Sequence, residues 1–109
     1  MKYLFYEVPI NQLSYGNTVL DLSTATLTCK DKSIRLTAKE FEIIHLLFKT
    51  PQHIISKDRI ISNVWGYDSY AIGNNVEVYI GFLRKKLATI ESNVSIVAIR
   101  KLGYHLEVR

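Results

Sequence analysis

The chain carries one cysteine, Cys29, two prolines, and no apolar run approaching a membrane span. A single thiol cannot close an internal disulfide, which excludes a disulfide-built scaffold and suits a reducing compartment. Cys29 is expected to fill a strand position. The N-terminal apolar run Tyr3–Tyr6 is cut off by Glu7 and Pro9, too short and interrupted for a secretory signal. A bilayer-crossing helix needs roughly 18 apolar residues, so no membrane partner and a cytoplasmic location are expected. Catalytic patterning is also lacking. His45, His53 and His105 have no motif spacing to one another or to Cys29. There is no glycine-rich phosphate loop, zinc-ligand pair or nucleophile motif. No enzyme, no metal and no cofactor are expected, and His45 reads as a partly packed helix residue.

What is present is the material of one globular domain: 109 residues, 48% of them hydrophobic and 22% charged, enough for a single core. The net charge of +4 is unevenly placed. Residues 1–80 hold equal numbers of acids and bases, whereas residues 81–109 hold Arg84, Lys85, Lys86, Arg100, Lys101 and Arg109 against Glu91 and Glu107. Such asymmetry fits an end that faces a polyanion, and it equally fits a solvated basic surface.

β-branched and aromatic residues at Tyr3–Val8, Thr18–Leu22, Thr26–Cys29 and Ser33–Leu36 predict an antiparallel meander, punctuated at Pro9, Tyr15–Asn17, Ser23–Thr24 and Asp31–Lys32. Residues 1–12 fit least well and are read as a tail, linker or extra strand, with the domain proper at 13–109. Thr37-Ala38-Lys39-Glu40 is a capping box, flanked by the staple residues Leu36 and Phe41. Phe41, Ile44, Leu47 and Phe48 follow at helical spacing until Pro51. A second helix starts from Ser56 as N-cap, with Ile55 and Ile60 as staple, buries Ile60, Ile61, Val64 and Trp65, and stops near Gly66.

The longest helical pattern runs from Asn74 to about Ala88. Val76, Ile80, Leu83 and Leu87 form one apolar stripe. At about 100° per residue the opposite face shows Asn74, Val78, Gly81 and Lys85, with Asn75 and Phe82 beside it. That face is small, polar and basic. Two alternating segments, Val94–Ile99 and Tyr104–Val108, then predict a terminal hairpin whose tip carries Arg100 and Lys101. Two short helices, a loop and a third helix with an open polar face can form a helix-turn-helix unit whose last helix enters a major groove. The competing readings are an α+β domain with a merely solvated basic hairpin, and a protein-interaction module that does not bind DNA.

From about Leu13 to Val108 the chain resembles the OmpR/PhoB-type winged-helix family, the effector domains of bacterial two-component response regulators. The resemblance rests on an ordered set: Leu20-Asp21; Leu36 to Glu42; Ser56-Lys57; Val64-Trp65-Gly66; Asn75 to Ile80; Leu83 to Leu87; and Arg100 with Gly103-Tyr104. It implies an α+β winged helix-turn-helix with an N-terminal four-stranded platform, three helices and a C-terminal hairpin wing at about 94–108. It further implies sequence-specific binding of double-stranded DNA for transcription regulation. Residues 74–88 would be the recognition helix, with Arg100 at the minor groove and Trp65 and Tyr104 supporting or contacting phosphates. For Trp65 and Tyr104, core packing with a polar atom at the rim stands as the other reading. The loop 66–73 would be where such proteins contact RNA polymerase. The implied state is a monomer alone and a tandem dimer on DNA. No acidic cluster or switch lysine of a phosphoacceptor receiver is seen, so an excised effector domain or a stand-alone regulator is expected, the former by family precedent.

The chain departs from the family where specificity is set. Many relatives have basic residues at the positions of Gly81 and Phe82. Gly81 forfeits roughly 1 kcal/mol of helix propensity. Phe82 has no hydrogen bond to offer a base, leaving contact with a thymine methyl or burial against the wing or a neighbouring domain. Lys101 stands where glycine is common, which alters the wing turn while adding charge. The expected DNA-contacting set is Trp65, Asn74, Asn75, Tyr79, Gly81, Phe82, Arg84, Lys85, Lys86, Arg100, Lys101 and Tyr104.

Overall fold

Four short strands, β1 (Gln12–Tyr15), β2 (Thr18–Asp21), β3 (Thr26–Cys29) and β4 (Lys32–Arg35), pair in chain order as an antiparallel sheet. The computed structural model describes residues 11–66 and 73–109. The expected strand Tyr3–Val8 and the possible extra strand before residue 11 lie outside them. Among the described residues the sheet's first strand is Gln12–Tyr15, which the sequence pattern divides between a tail and a turn. The reason is local: only Leu13 and Tyr15 of this strand are half-buried, so its apolar signal is weak. β2 and β3 alternate cleanly, setting Leu20 opposite Leu27 on the inner face, both with no exposed surface. β4 is shifted one residue towards the N-terminus because Cys29 pairs with Lys32, leaving Lys30-Asp31 as the turn.

Three helices follow: α1 (Ala38–Lys49), α2 (Lys57–Val64) and α3 (Gly73–Thr89). The Glu40 carboxylate accepts the Thr37 amide at 2.8 Å, closing the capping box. Ser56 Oγ accepts the Arg59 amide at 3.1 Å, as an N-cap should. Both staples are in place, with Leu36 and Ile55 buried, Ile60 fully so, and Phe41 packed at the core's edge. α1 buries more than one stripe, adding Ile43 and Leu46 to Ile44, Leu47 and Phe48, because the other helices, β1 and β6 surround it. The stripe of α3 is as the periodicity predicts, Val76, Ile80, Leu83 and Leu87 all being buried. The chain closes with a hairpin, β5 (Val94–Ile99) and β6 (Gly103–Val108). The architecture is the expected α+β order of sheet, three helices and wing.

Two long-range links fix the wing. Ile55, just before α2, exchanges backbone bonds with Tyr104 at 2.8 and 2.9 Å, tying β6 to the start of α2. At the other end, Asn17 and Asn93 each accept the other's backbone amide at 3.0 Å, and Thr18 Oγ1 meets Ser92 Oγ at 2.5 Å. The β1–β2 turn thereby holds the segment that joins α3 to β5.

α3 ends in a Schellman motif: the Ser92 amide donates to Leu87 O and the Glu91 amide to Ala88 O, both at 3.0 Å. Glu91 occupies the left-handed position with a φ of 59°, where a Cβ carries a steric penalty. Glu91→Gly is therefore expected to stabilise the domain by about 0.5–1 kcal/mol, the gain from relieved strain exceeding the greater freedom of the unfolded glycine. An unchanged or lowered urea midpoint would contradict this.

Candidate nucleic-acid interface

The outward face of α3 is open. Asn75, Val78, Phe82 and Lys85 are exposed or half-exposed along it, and a Cβ added at Gly81 would meet nothing within 4 Å. The side chain of Asn74 lies outside the described residues. On one flank an aromatic ladder runs back to α2. Phe82 stands edge-on to Tyr79 with centroids 5.6 Å apart, and Tyr79 packs against Trp65 at 5.8 Å. The Lys39 ammonium lies 5.4 Å over the Trp65 ring and donates to Val64 O at 3.0 Å, neutralising the C-terminal end of α2. Trp65 and Tyr79 are half-buried at the core's edge, so each combines packing with an exposed rim. The sequence offers no sign of the role of Lys39, because nothing in the spacing of residues 39 and 64 announces that α1 and α2 touch there.

The three consecutive cations of α3 do different things. The Lys85 ammonium has no partner among the described residues. The Arg84 guanidinium donates through Nε and Nη2 to Ile96 O at 3.1 and 2.8 Å, which seats the wing's first strand on α3. Lys86 is turned inward, 2.6 Å from Glu40 Oε1 and 2.9 Å from Arg35 O. The expectation that Lys86 faces DNA is thus corrected. Glu40 is only 3% exposed, and leaving its carboxylate unpaired there would be unfavourable. Burial works against its ionisation, yet the bonds from Lys86 and the Thr37 amide outweigh it and hold the carboxyl below the usual range.

The wing tip is a tight turn. The Leu102 amide donates to Ile99 O at 2.9 Å, so Arg100 and Lys101 are the central pair. Lys101 has a φ of 69°, the conformation that the second central residue of a type II turn requires. The lysine therefore keeps the glycine-like backbone shape and adds a charge. Both cations are exposed. Beneath them a groove of about 430 Å³ separates the tip from the N-terminus of α2. Lys57 and Glu77 line it, joined by an ion pair of 2.8 Å, whose hydrogen bond holds the Lys57 ammonium above the ordinary lysine range. Tyr104 is 5% exposed and belongs to the core, which favours the core-packing reading of this residue over a place at the phosphate backbone. Its backbone docks the wing.

The structure thus brings Asn75, Val78, Gly81, Phe82 and Lys85 onto one helix face, and holds Arg100 and Lys101 on a separate projection. Val78 joins the expected set, from which its lack of a polar group leaves it out. Its signal in the sequence is its position four residues before Phe82. The expected polymerase loop falls almost wholly on residues 67–72, outside the described residues. His45 packs against Phe41, ring centroids 5.4 Å apart, and burial together with nearby Lys49 lowers its basicity. Among the described residues no group of three or more His, Cys, Asp and Glu is placed to hold a metal ion, and no helix is long and apolar enough to cross a membrane.

Residues 31–106 match the family model described as "Transcriptional regulatory protein, C terminal". The chain is 37% identical over 97 residues to the heme response regulator HssR of Staphylococcus epidermidis, a match covering 89% of this chain and 43% of that protein. It spans less than half the length of the curated relatives it matches. The C-terminal domain of the nisin resistance regulator NsrR superposes with a TM-score of 0.72 at 29% identity, covering 86% of this chain and 94% of that one. The DNA-binding domain of the response regulator AdeR, solved in complex with an intercistronic region, shares the fold with a TM-score of 0.76 at 23% identity, covering 88% and 99%. With sheet, helices and wing in the order its motifs predicted, the chain belongs to the family of C-terminal domains of transcriptional regulatory proteins, the OmpR/PhoB-type winged-helix effectors.

Proposed function

We propose that this domain binds double-stranded DNA in a sequence-dependent way, as the output domain of a two-component response regulator. In this reading α3 lies in the major groove and the wing tip reaches the adjacent minor groove or backbone. One observation carries it: the open face of α3 has no acid on its centre line, and the cations Lys85, Arg100 and Lys101 stand at that face and on the wing tip. The size of a helix fits a major groove about 12 Å wide. Cations on two separate projections fit phosphates and a narrow minor groove. The AdeR domain, which shares this fold and was solved in complex with an intercistronic region, supports the same reading. The exposed large apolar residues among those described are Ile54, Val78, Phe82, Leu102 and Val108, with no long stripe for a dimer seam. A monomer that pairs in tandem only on DNA is therefore proposed, as is a polymerase contact through residues 66–73.

The test is selection of bound sequences from a random duplex pool, followed by variants on the selected duplex. Arg100→Ala is expected to weaken binding by about 1–3 kcal/mol and to flatten any preference for an A·T-rich flank. Lys85→Ala should weaken selected and random duplexes alike and lower the salt slope by about one ion. Equal losses for Arg100→Ala on A·T-rich and G·C-rich flanks would reduce the wing to an electrostatic clamp. A domain that binds no duplex at about 50 mM salt, yet captures a protein regardless of salt, would instead be a protein-interaction module.

A further inference from the structure

We propose that Val78 and Phe82 form an apolar reading surface for thymine 5-methyl groups, so that α3 selects T-bearing base pairs by contact and not by hydrogen bonding. The inference rests on the DNA-binding reading above and names what the helix face would recognise.

The two side chains are 51% and 44% exposed on the face that points away from the core. They lie four residues apart, which places them one above the other and about 6 Å apart along the helix. That distance is of the order of one to two base steps at about 3.4 Å of rise each, so the pair can reach methyl groups on neighbouring base pairs. Gly81 sits beside Phe82 with open space where its side chain would be. The backbone of α3 can therefore approach the base edges closely enough for short side chains to touch them. Phe82 is not loose: its ring is braced by Tyr79 at an interplanar angle of 86°, and Tyr79 by Trp65 in turn. A braced ring loses little freedom on binding.

The chemistry then selects the base. In the major groove every base pair offers hydrogen-bonding groups, and only thymine adds a methyl. Valine and phenylalanine gain from covering that methyl. Against a G·C edge the same contact would strip water from donors and acceptors and return nothing. The surrounding charge suits the nucleic-acid partner of the reading above: Lys85 stands one turn beyond Phe82, and Arg100 and Lys101 project from the wing. The acid of α3, Glu77, is paired with Lys57 off this centre line.

The test compares duplexes recovered from the random pool with the same duplexes resynthesised with deoxyuridine in place of thymidine, strand by strand. This exchange deletes the methyl and leaves every hydrogen bond. The wild-type domain is expected to lose about fourfold in affinity for each methyl contacted, with an unchanged salt slope. Phe82→Ala and Val78→Ala should each abolish part of that discrimination, and Phe82→Leu should restore much of it. Equal binding of thymidine and uridine duplexes by the wild type would overturn the proposal, as would full discrimination retained by a folded Val78→Ala, Phe82→Ala double variant. A pool that yields no bound duplex would overturn the DNA-binding reading itself, before any thymidine is replaced.

Discussion

Gly103→Ala is expected to destabilise the domain by about 4 kcal/mol, combining a strained backbone, a steric clash and weakened backbone hydrogen bonds. Gly103 has a φ of 142°, outside the range that residues with a Cβ ordinarily adopt. A Cβ there would also overlap the carbonyl of Ile55 and the Cα of Ser56. These are backbone atoms, so no side chain can swing aside to make room. The relief available is to separate β6 from the start of α2, breaking the paired bonds between Ile55 and Tyr104. Urea unfolding measures the loss. Amide exchange at Ile55 and Tyr104 locates it, and both amides should exchange faster than those of β2 and β3. A loss under about 1 kcal/mol, or unaltered protection at these two amides, would show that the wing does not depend on this close approach. Where the variant still folds, its wing tip should no longer stand at a fixed distance from α3, and duplex affinity should fall with it.

Glu40→Ala is expected to remove about 3 kcal/mol at neutral pH, because it strands the partly buried Lys86 ammonium and opens the cap of α1. The carboxylate joins three elements: its own helix through Thr37, α3 through Lys86, and the end of β4 where Lys86 also bonds Arg35 O. The pH dependence follows from the lowered pKa of Glu40. A group held below its unfolded value stabilises the fold above the ordinary carboxylate range, and that contribution is lost as pH falls through the depressed value. His45, also depressed, works in the same direction at higher pH: the fold favours its neutral form, so stability declines as pH drops below the ordinary histidine range. Lys86→Met should remove the charge that depresses Glu40 and let burial raise its pKa. Glu40's contribution to the acid limb should then shrink or reverse, so that the variant, less stable at neutral pH, loses less stability on acidification than the wild type. An acid limb as steep as the wild type's in Lys86→Met, or Glu40→Ala and Lys86→Ala losses that simply add in a double-mutant cycle, would break the assignment.

Helices and wing are legible in the sequence because their signals are local. A capping box, a Ser N-cap with its staple, a stripe at 76, 80, 83 and 87, and alternating strands around a Gly-terminated turn each need only a few neighbouring residues. β1 escapes such a reading because a short strand with two half-buried side chains and no buried one carries little pattern. The face of α3 is equally legible, since its outward residues follow from the helical angle once the buried stripe is known. What one dimension cannot give is the direction of long side chains at the margins. Lys85 and Lys86 are neighbours in sequence, but a step of about 100° sends one to solvent and the other to a carboxylate on a different helix. Tyr104 reads in the sequence either as a phosphate contact or as a packed residue, and the Ile55 bridge with its burial favours the second. Arg84 likewise reads as a phosphate ligand until the Ile96 carbonyl is found beneath it.

The mutual grip of Asn17 and Asn93 has a practical side. A short hairpin turn at the chain's surface is ordinarily a convenient place to splice in a peptide tag or a new pair of termini. Here the Gly16-Asn17 turn is unsuitable, since Gly16 is packed against Asn93 and Val108, and any added residue would pry the sheet from the α3–β5 junction. The loop between β2 and β3 is organised around its own Asp21, whose carboxylate accepts bonds from Ser23 and Thr24 within the loop. Among the described residues the loop's hydrogen bonds stay within it or reach Asn11 and Leu36, none going to the wing or α3, which makes it the better place for a label or fusion.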